Sequence, residues 1–135
     1  MENFIYETML DDVSICDELI EYYENNTEQK TKGITAGGPD INNQGKVSTD
    51  VVIQYSRHPA IQKYVQELTL NGIRPYSEKY GLNHSHKMGL KEPFNIQHYA
   101  PNEGYRMWHC ERSTSQSLQR ALAWMTYLEG IVTSE

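Results

Sequence analysis

The pair His109 and Glu111 is the strongest candidate for chemistry in this sequence. One residue separates the two, and residues i and i+2 of a β-strand project from the same face. An imidazole and a carboxylate placed in this way can bind one metal ion together. Iron(II) held on one side by two histidines and one carboxylate keeps other coordination positions open for a substrate and for dioxygen. Because a lone His-x-Glu also occurs by chance at exposed strand ends, the surrounding residues decide its interpretation.

Two stretches around this pair alternate as β-strands do. If residues 105–111 form a strand, one face carries Tyr105, Met107, His109 and Glu111. Over residues 120–128, a series of small residues that ends at Tyr127 alternates with larger apolar residues. We therefore predict a second strand with both faces buried. Its alanine-rich face would leave room for a ligand, although close packing of an ordinary sandwich strand explains the same pattern.

The sequence of these stretches also resembles a known family. Residues 94–111 read FNIQHYAPNEGYRMWHCE, and residues 120–128 read RALAWMTYL. Both resemble the metal-binding core of the prolyl 4-hydroxylase-like family of iron(II)- and 2-oxoglutarate-dependent dioxygenases. In that family a strand-ending Tyr, a Gly-containing turn and a second Tyr precede His-x-carboxylate, and a later Arg opens a strand ending in Tyr-Leu-Asn. The resemblance covers about the last third of the chain and implies iron(II) and 2-oxoglutarate as cofactors.

The candidate site residues take their roles from positions in that motif. The resemblance implies that His109 and Glu111 are metal ligands and that Tyr99 and Tyr127 bind 2-oxoglutarate. It places Arg120 and Tyr105 near the substrate, and it implies no further catalytic side chain. A buried ring with one satisfied hydroxyl is the alternative for each tyrosine, and a structural role is the alternative for the arginine.

Three departures from the family pattern limit the functional prediction. Glu111 stands where the family usually has Asp, and Glu129 stands where Asn is usual. No His follows His109 and no Lys or Arg follows Arg120, so the family's second metal-binding His and its basic anchor for 2-oxoglutarate have no counterpart. We therefore expect a dioxygenase fragment with an incomplete metal site, weak iron binding and little turnover. A non-catalytic binding or assembly module derived from the same fold is the alternative.

The predicted fold class is α+β. An N-terminal helical layer is expected to pack on a partial double-stranded β-helix of the jelly-roll, cupin-like type, the latter being implied by the resemblance. By length the chain is a single domain over residues 1–135. Residues 1–90 are predicted to be mainly helices and loops, including a long loop over 33–49, and residues 91–135 to hold the first strands of the core. Apolar residues at helical spacing support helices over 13–23 and from residue 58 onward.

Composition excludes several other function classes. The net charge of −6, without a Lys/Arg cluster, argues against nucleic-acid binding. No apolar run is long enough to span a membrane, and two cysteines do not make a disulfide framework. These features predict a cytoplasmic protein, and the resemblance implies that its substrate is a peptide or a small molecule.

A second metal-like motif is His84-Ser85-His86. These histidines could bind zinc together with Cys110 or His58. The neighbouring Gly and Asn residues instead favour an exposed loop.

Self-association is also expected from the last predicted strand. If the strand over 120–128 lacks neighbours, its apolar edge can pair with another copy, and two-fold pairing is the commonest closed arrangement. We therefore predict a homodimer or higher oligomer whose interface includes Leu122 and Trp124.

Overall fold

A computed structural model describes residues 3–35, 38–39, 45–54, 58–84 and 88–129. The chain divides into two compact units. The first draws on Met1–Tyr22, Tyr55–Glu92 and Leu128–Glu135, and the second on Tyr23–Gln54 and Pro93–Tyr127. The candidate residues of the metal motif, 94–127, all belong to the second unit, whereas the helices that follow Gln54 belong to the first.

Helix α1 covers Ser14–Asn25. Its start is defined by Asp12, whose carboxylate accepts hydrogen bonds from the Ser14 N–H at 3.0 Å and the Ser14 hydroxyl at 2.6 Å. This contact satisfies a backbone donor that the helix itself leaves without a partner. Ile15, Leu19 and Tyr23 are buried at four-residue intervals on one side of the helix. The predicted helix over 13–23 is therefore present.

A second helical stretch follows His58. It consists of α2 over Pro59–Glu67, a π-helical segment over Leu68–Ile73, and α3 over Arg74–Lys79. Proline suits the first turn of α2 because that position has no intrahelical N–H partner. The second proline, Pro75, lies in the first turn of α3. Proline lacks a backbone N–H, and this lack is tolerated at Pro75 because the π-helical segment ends and α3 begins there.

The second unit is built from short antiparallel strands. Its main sheet contains β1 (Lys30–Lys32), β5 (Thr49–Ile53) and β6 (Phe94–His98), in the order β1-β5-β6. Strand β2 (Ile34–Thr35) pairs with β3 (Gly38–Pro39), and β4 (Lys46–Val47) pairs with β7 (Gly104–Tyr105). In the main sheet Val51 lies opposite Ile96, and Ile53 opposite Phe94. Val51 and Ile53 are almost completely buried, so the core of this unit lies on β5.

Helices and small antiparallel sheets together confirm the α+β class. The loop predicted over 33–49 is wrong in part, since β2, β3 and β4 lie within it; its residues 36–37 and 40–44 are outside the described residues. The strand predicted over 120–128 is also wrong. Residues 120–127 have no regular secondary structure, and alternation in sequence does not create a strand without a neighbouring backbone to bond to.

The predicted burial of both faces of that stretch is wrong as well. Met125 and Tyr127 are 75% and 72% exposed. Trp124 retains a contact, with its ring 6.1 Å from that of Phe94 at the start of β6. No helix in the described part of the chain is both long enough and apolar enough to cross a membrane.

Candidate metal centre

The candidate site begins where β7 ends. Tyr105 pairs with Lys46 across the β4-β7 ladder, and the next residue, Arg106, donates its N–H to the Gly45 carbonyl at 2.7 Å. The chain beyond residue 106 is irregular. The strand predicted over 105–111 is therefore limited to Tyr105, and strand parity does not explain the positions of His109 and Glu111.

His109 is oriented by two contacts. Its ring stacks on Tyr105, with centroids 4.1 Å apart and planes 8° from parallel. Its Nδ1 lies 3.1 Å from the carbonyl oxygen of Met107. Since a carbonyl can only accept, Nδ1 carries the proton in this contact. In the neutral ring the lone pair is then on Nε2, the arrangement that metal-binding histidines use.

Glu111 lies beside that nitrogen. The distance from His109 Nε2 to Glu111 Oε1 is 3.2 Å. The other carboxylate oxygen, Oε2, accepts a hydrogen bond from Arg120 Nη1 at 3.1 Å. The two facing atoms are both acceptors unless Nε2 is protonated, so the gap between them requires either a proton or a cation.

The spacing fits a shared metal ion. Ligand nitrogen and oxygen atoms lie about 2.1 Å from ions of this kind, so two ligands at a right angle are separated by about 3.0 Å. The 3.2 Å between Nε2 and Oε1 is close to this value. The fit extends to two adjacent positions only, because the described residues contain no group of three His, Cys, Asp or Glu side chains able to hold an ion.

The tyrosines assigned to 2-oxoglutarate have different surroundings. Tyr127 is 72% exposed. Tyr99, which is 38% exposed, donates its hydroxyl to Gln97 Oε1 at 3.0 Å. Partial burial raises the pKa of Tyr99, and the negative charge of Asp50 raises it further. A role in cofactor binding stays a prediction for both residues.

Tyr105 and Arg120, assigned to the substrate by resemblance, contact the metal-ligand candidates, and their role in substrate binding stays a prediction. Tyr105 supports the His109 ring and Arg120 bonds Glu111. In the zinc alternative, His84 is exposed within a short 3₁₀ turn, Leu82–His84, and His86 lies outside the described residues.

A buried polar network was not anticipated from the sequence. Lys46 and Asp50 form an ion pair at 2.8 Å, with only 3% and 4% of their side-chain surfaces exposed. Ser48 donates to the same carboxylate at 2.7 Å, and Gln97 at 3.4 Å. Lys46 also lies 5.7 Å from the centre of the Tyr105 ring. The available signal was the spacing Lys46-x-Ser48-x-Asp50, which places opposite charges on one side of an extended chain.

Comparison of the chain with models of known families, with curated proteins and with solved structures gives no match. The geometry of the site is therefore what any functional assignment depends on.

Proposed function

We propose that residues 94–128 are the metal-binding part of an iron(II)- and 2-oxoglutarate-dependent dioxygenase of the prolyl 4-hydroxylase-like family. The observation that carries the proposal is the 3.2 Å separation of His109 Nε2 and Glu111 Oε1, which suits two ligands of one ion. The antiparallel pairing of all the described strands is compatible with a jelly-roll core, which belongs to the same proposal.

In this proposal His109 and Glu111 hold iron(II) at two adjacent positions. The Met107 carbonyl keeps the imidazole proton on Nδ1, and Tyr105 fixes the plane of the ring. Tyr127 provides a phenol hydroxyl for the distal carboxylate of 2-oxoglutarate, and Tyr99 lines the pocket of this co-substrate. When bound, iron(II) and 2-oxoglutarate supply the oxidising chemistry that hydroxylates a C–H bond of a peptide or small molecule with dioxygen.

Two protein ligands leave most of the ion's coordination to water and the co-substrate. We therefore expect metal binding to be weak and succinate production to be low. We also propose that the protein is cytoplasmic and that it binds neither nucleic acid nor a membrane.

The test is a titration with Mn²⁺, a redox-stable substitute for iron(II), with and without 2-oxoglutarate. We expect 2-oxoglutarate to tighten Mn²⁺ binding, and both His109→Ala and Glu111→Ala to weaken it at least tenfold. His84→Ala serves as the matched control and should leave binding unchanged. Binding that is insensitive to 2-oxoglutarate and to the first two substitutions would overturn the proposal, and loss of stoichiometric zinc in His84→Ala would favour the zinc alternative.

Exposed apolar side chains favour a second candidate, a non-catalytic assembly module. Trp108 is fully exposed, and Met107, Leu118, Met125 and Tyr127 are each more than half exposed. Apolar surface of this kind is typical of protein interfaces. A homodimer through the C-terminal stretch, including Leu122 and Trp124, would cover part of it. Sedimentation should then show a dimer at tens of micromolar that Trp124→Ala weakens, whereas a monomer at that concentration would contradict the assembly proposal.

A further inference from the structure

Arg120 reaches Glu111 at two points. Its Nη1 donates to the Glu111 side-chain oxygen Oε2 and to the Glu111 backbone carbonyl, each at 3.1 Å. A guanidinium that bonds both the backbone and the carboxylate of one residue limits the rotation of that side chain about its own bonds. The carboxylate oxygen left over, Oε1, is the one that faces His109 Nε2.

A local turn brings Arg120 to this position. The Thr114 hydroxyl accepts from the Ser117 N–H at 3.3 Å, and the Ser117 hydroxyl accepts from the Thr114 N–H at 2.9 Å. This reciprocal cap starts the 3₁₀ turn Ser115–Ser117. The Arg120 N–H then bonds the Ser117 carbonyl at 3.1 Å. The turn reverses the chain, so that an arginine nine positions later returns to Glu111.

Glutamate needs such support more than aspartate does. Its extra methylene adds a rotatable bond, so ordering a glutamate side chain costs more rotamer entropy. Where Arg120 already holds Oε2, part of that ordering is complete before a metal ion arrives. The guanidinium charge acts in the opposite direction, because it repels a cation.

We propose that Arg120 is a positioning residue for the metal site: it holds the Glu111 carboxylate so that Oε1 faces the ion bound by His109. This inference deepens the proposed function and rests on it for the location of the metal. It replaces the substrate contact that the family resemblance implied for Arg120. Loss of an outer partner of a ligand weakens metal binding about 10- to 100-fold, whereas loss of charge repulsion alone would strengthen it.

The experiment is an NMR titration of the full chain with Mn²⁺, in which paramagnetic broadening of the His109 and Glu111 signals reports the site and gives the Kd. Arg120→Gln is expected to raise the Kd about 10- to 100-fold. Arg120→Lys keeps the charge on a shorter side chain that reaches the two Glu111 oxygens less well, and should lie between Arg120→Gln and the unsubstituted protein. Arg112→Gln is the matched control, since it removes the same charge from an exposed position next to Glu111.

The outcomes separate the two proposals. An Arg120→Gln variant that binds Mn²⁺ as tightly as the unsubstituted protein, or more tightly, overturns the positioning role. If Arg120→Gln loses its folded spectrum, Arg120→Lys decides, and an unchanged Kd there overturns the role too. Absence of broadening at His109 and Glu111 in the unsubstituted protein sinks both proposals. Mn²⁺ binding that weakens in Arg120→Gln but ignores 2-oxoglutarate supports the positioning role and overturns the dioxygenase.

Discussion

Replacement of Lys46 by methionine should destabilise the protein strongly, because it leaves the Asp50 carboxylate buried without its cation. Removing one partner of a buried ion pair typically costs about 3–5 kcal/mol. Asp50 would retain the hydrogen bonds from Ser48 at 2.7 Å and from Gln97 at 3.4 Å, so we expect about 3 kcal/mol, the lower end. With a urea dependence of about 2 kcal/mol per M, the unfolding midpoint would fall by about 1.5 M.

The same substitution at Lys63 provides a matched control. Lys63 pairs with Glu18 at 2.6 Å, but 47% and 36% of the two side-chain surfaces are exposed, and such surface pairs contribute at most about 1 kcal/mol. The double variant Lys46→Met/Asp50→Asn removes both buried charges and should recover most of the loss. Equal urea midpoints for Lys46→Met and Lys63→Met would refute the reasoning, as would a double variant less stable than Lys46→Met alone.

Three further predictions concern other described residues. Gly33→Ala should cost about 1–3 kcal/mol in urea unfolding, because an added Cβ would lie 2.0 Å from the Ser48 hydroxyl oxygen. The hydrogen bonds from Ser14 lower the pKa of Asp12. The stability that this contact contributes is therefore present above the unfolded-state pKa and is lost as the pH falls through the folded-state pKa. NMR titration of Ser14→Ala should show a higher pKa for Asp12, and an unchanged pKa would contradict the assignment. Burial raises the pKa of the Cys16 thiol, and an iodoacetamide time course should therefore modify the exposed Cys110 first.

Local patterns predicted the helices more successfully than the strands. Apolar residues at helical spacing, over 13–23 and from residue 58 onward, are a signal carried within a few residues, and the corresponding helices are present. The strand predicted over 120–128 depended on a neighbour far away in sequence, which alternation cannot report. Strand β4 lies in the polar stretch that was predicted to be a long loop over 33–49, and the burial of its Lys46 side chain depends on the ion pair with Asp50 in the folded chain.

The sequence predicted that His109 and Glu111 would lie together, but the structure brings them together in a different way. Strand parity predicted that His109 and Glu111 would be adjacent, but neither lies in a strand. The two side chains are instead oriented by separate contacts: Tyr105 stacks on His109, and the turn brings Arg120 back to bond Glu111. A two-residue motif can indicate which side chains meet, whereas the contacts that orient them come from residues whose roles depend on the folded chain.

The double role of Tyr105 links the site to folding. This residue supplies one of the two ladder positions of β7, opposite Lys46, and its ring is also the surface on which His109 is stacked. A ladder of two residues opens easily at its ends, and each opening would release the imidazole. Opening of the ladder would thus weaken metal binding, and metal binding would oppose opening. An ion that binds only the closed form would stabilise that form by about 2.7 kcal/mol at an ion concentration one hundred times the Kd. Because Tyr105 pairs with Lys46, an ion held by His109 would in this way stabilise the pairing of β7 with β4, two strands that lie far apart in the sequence.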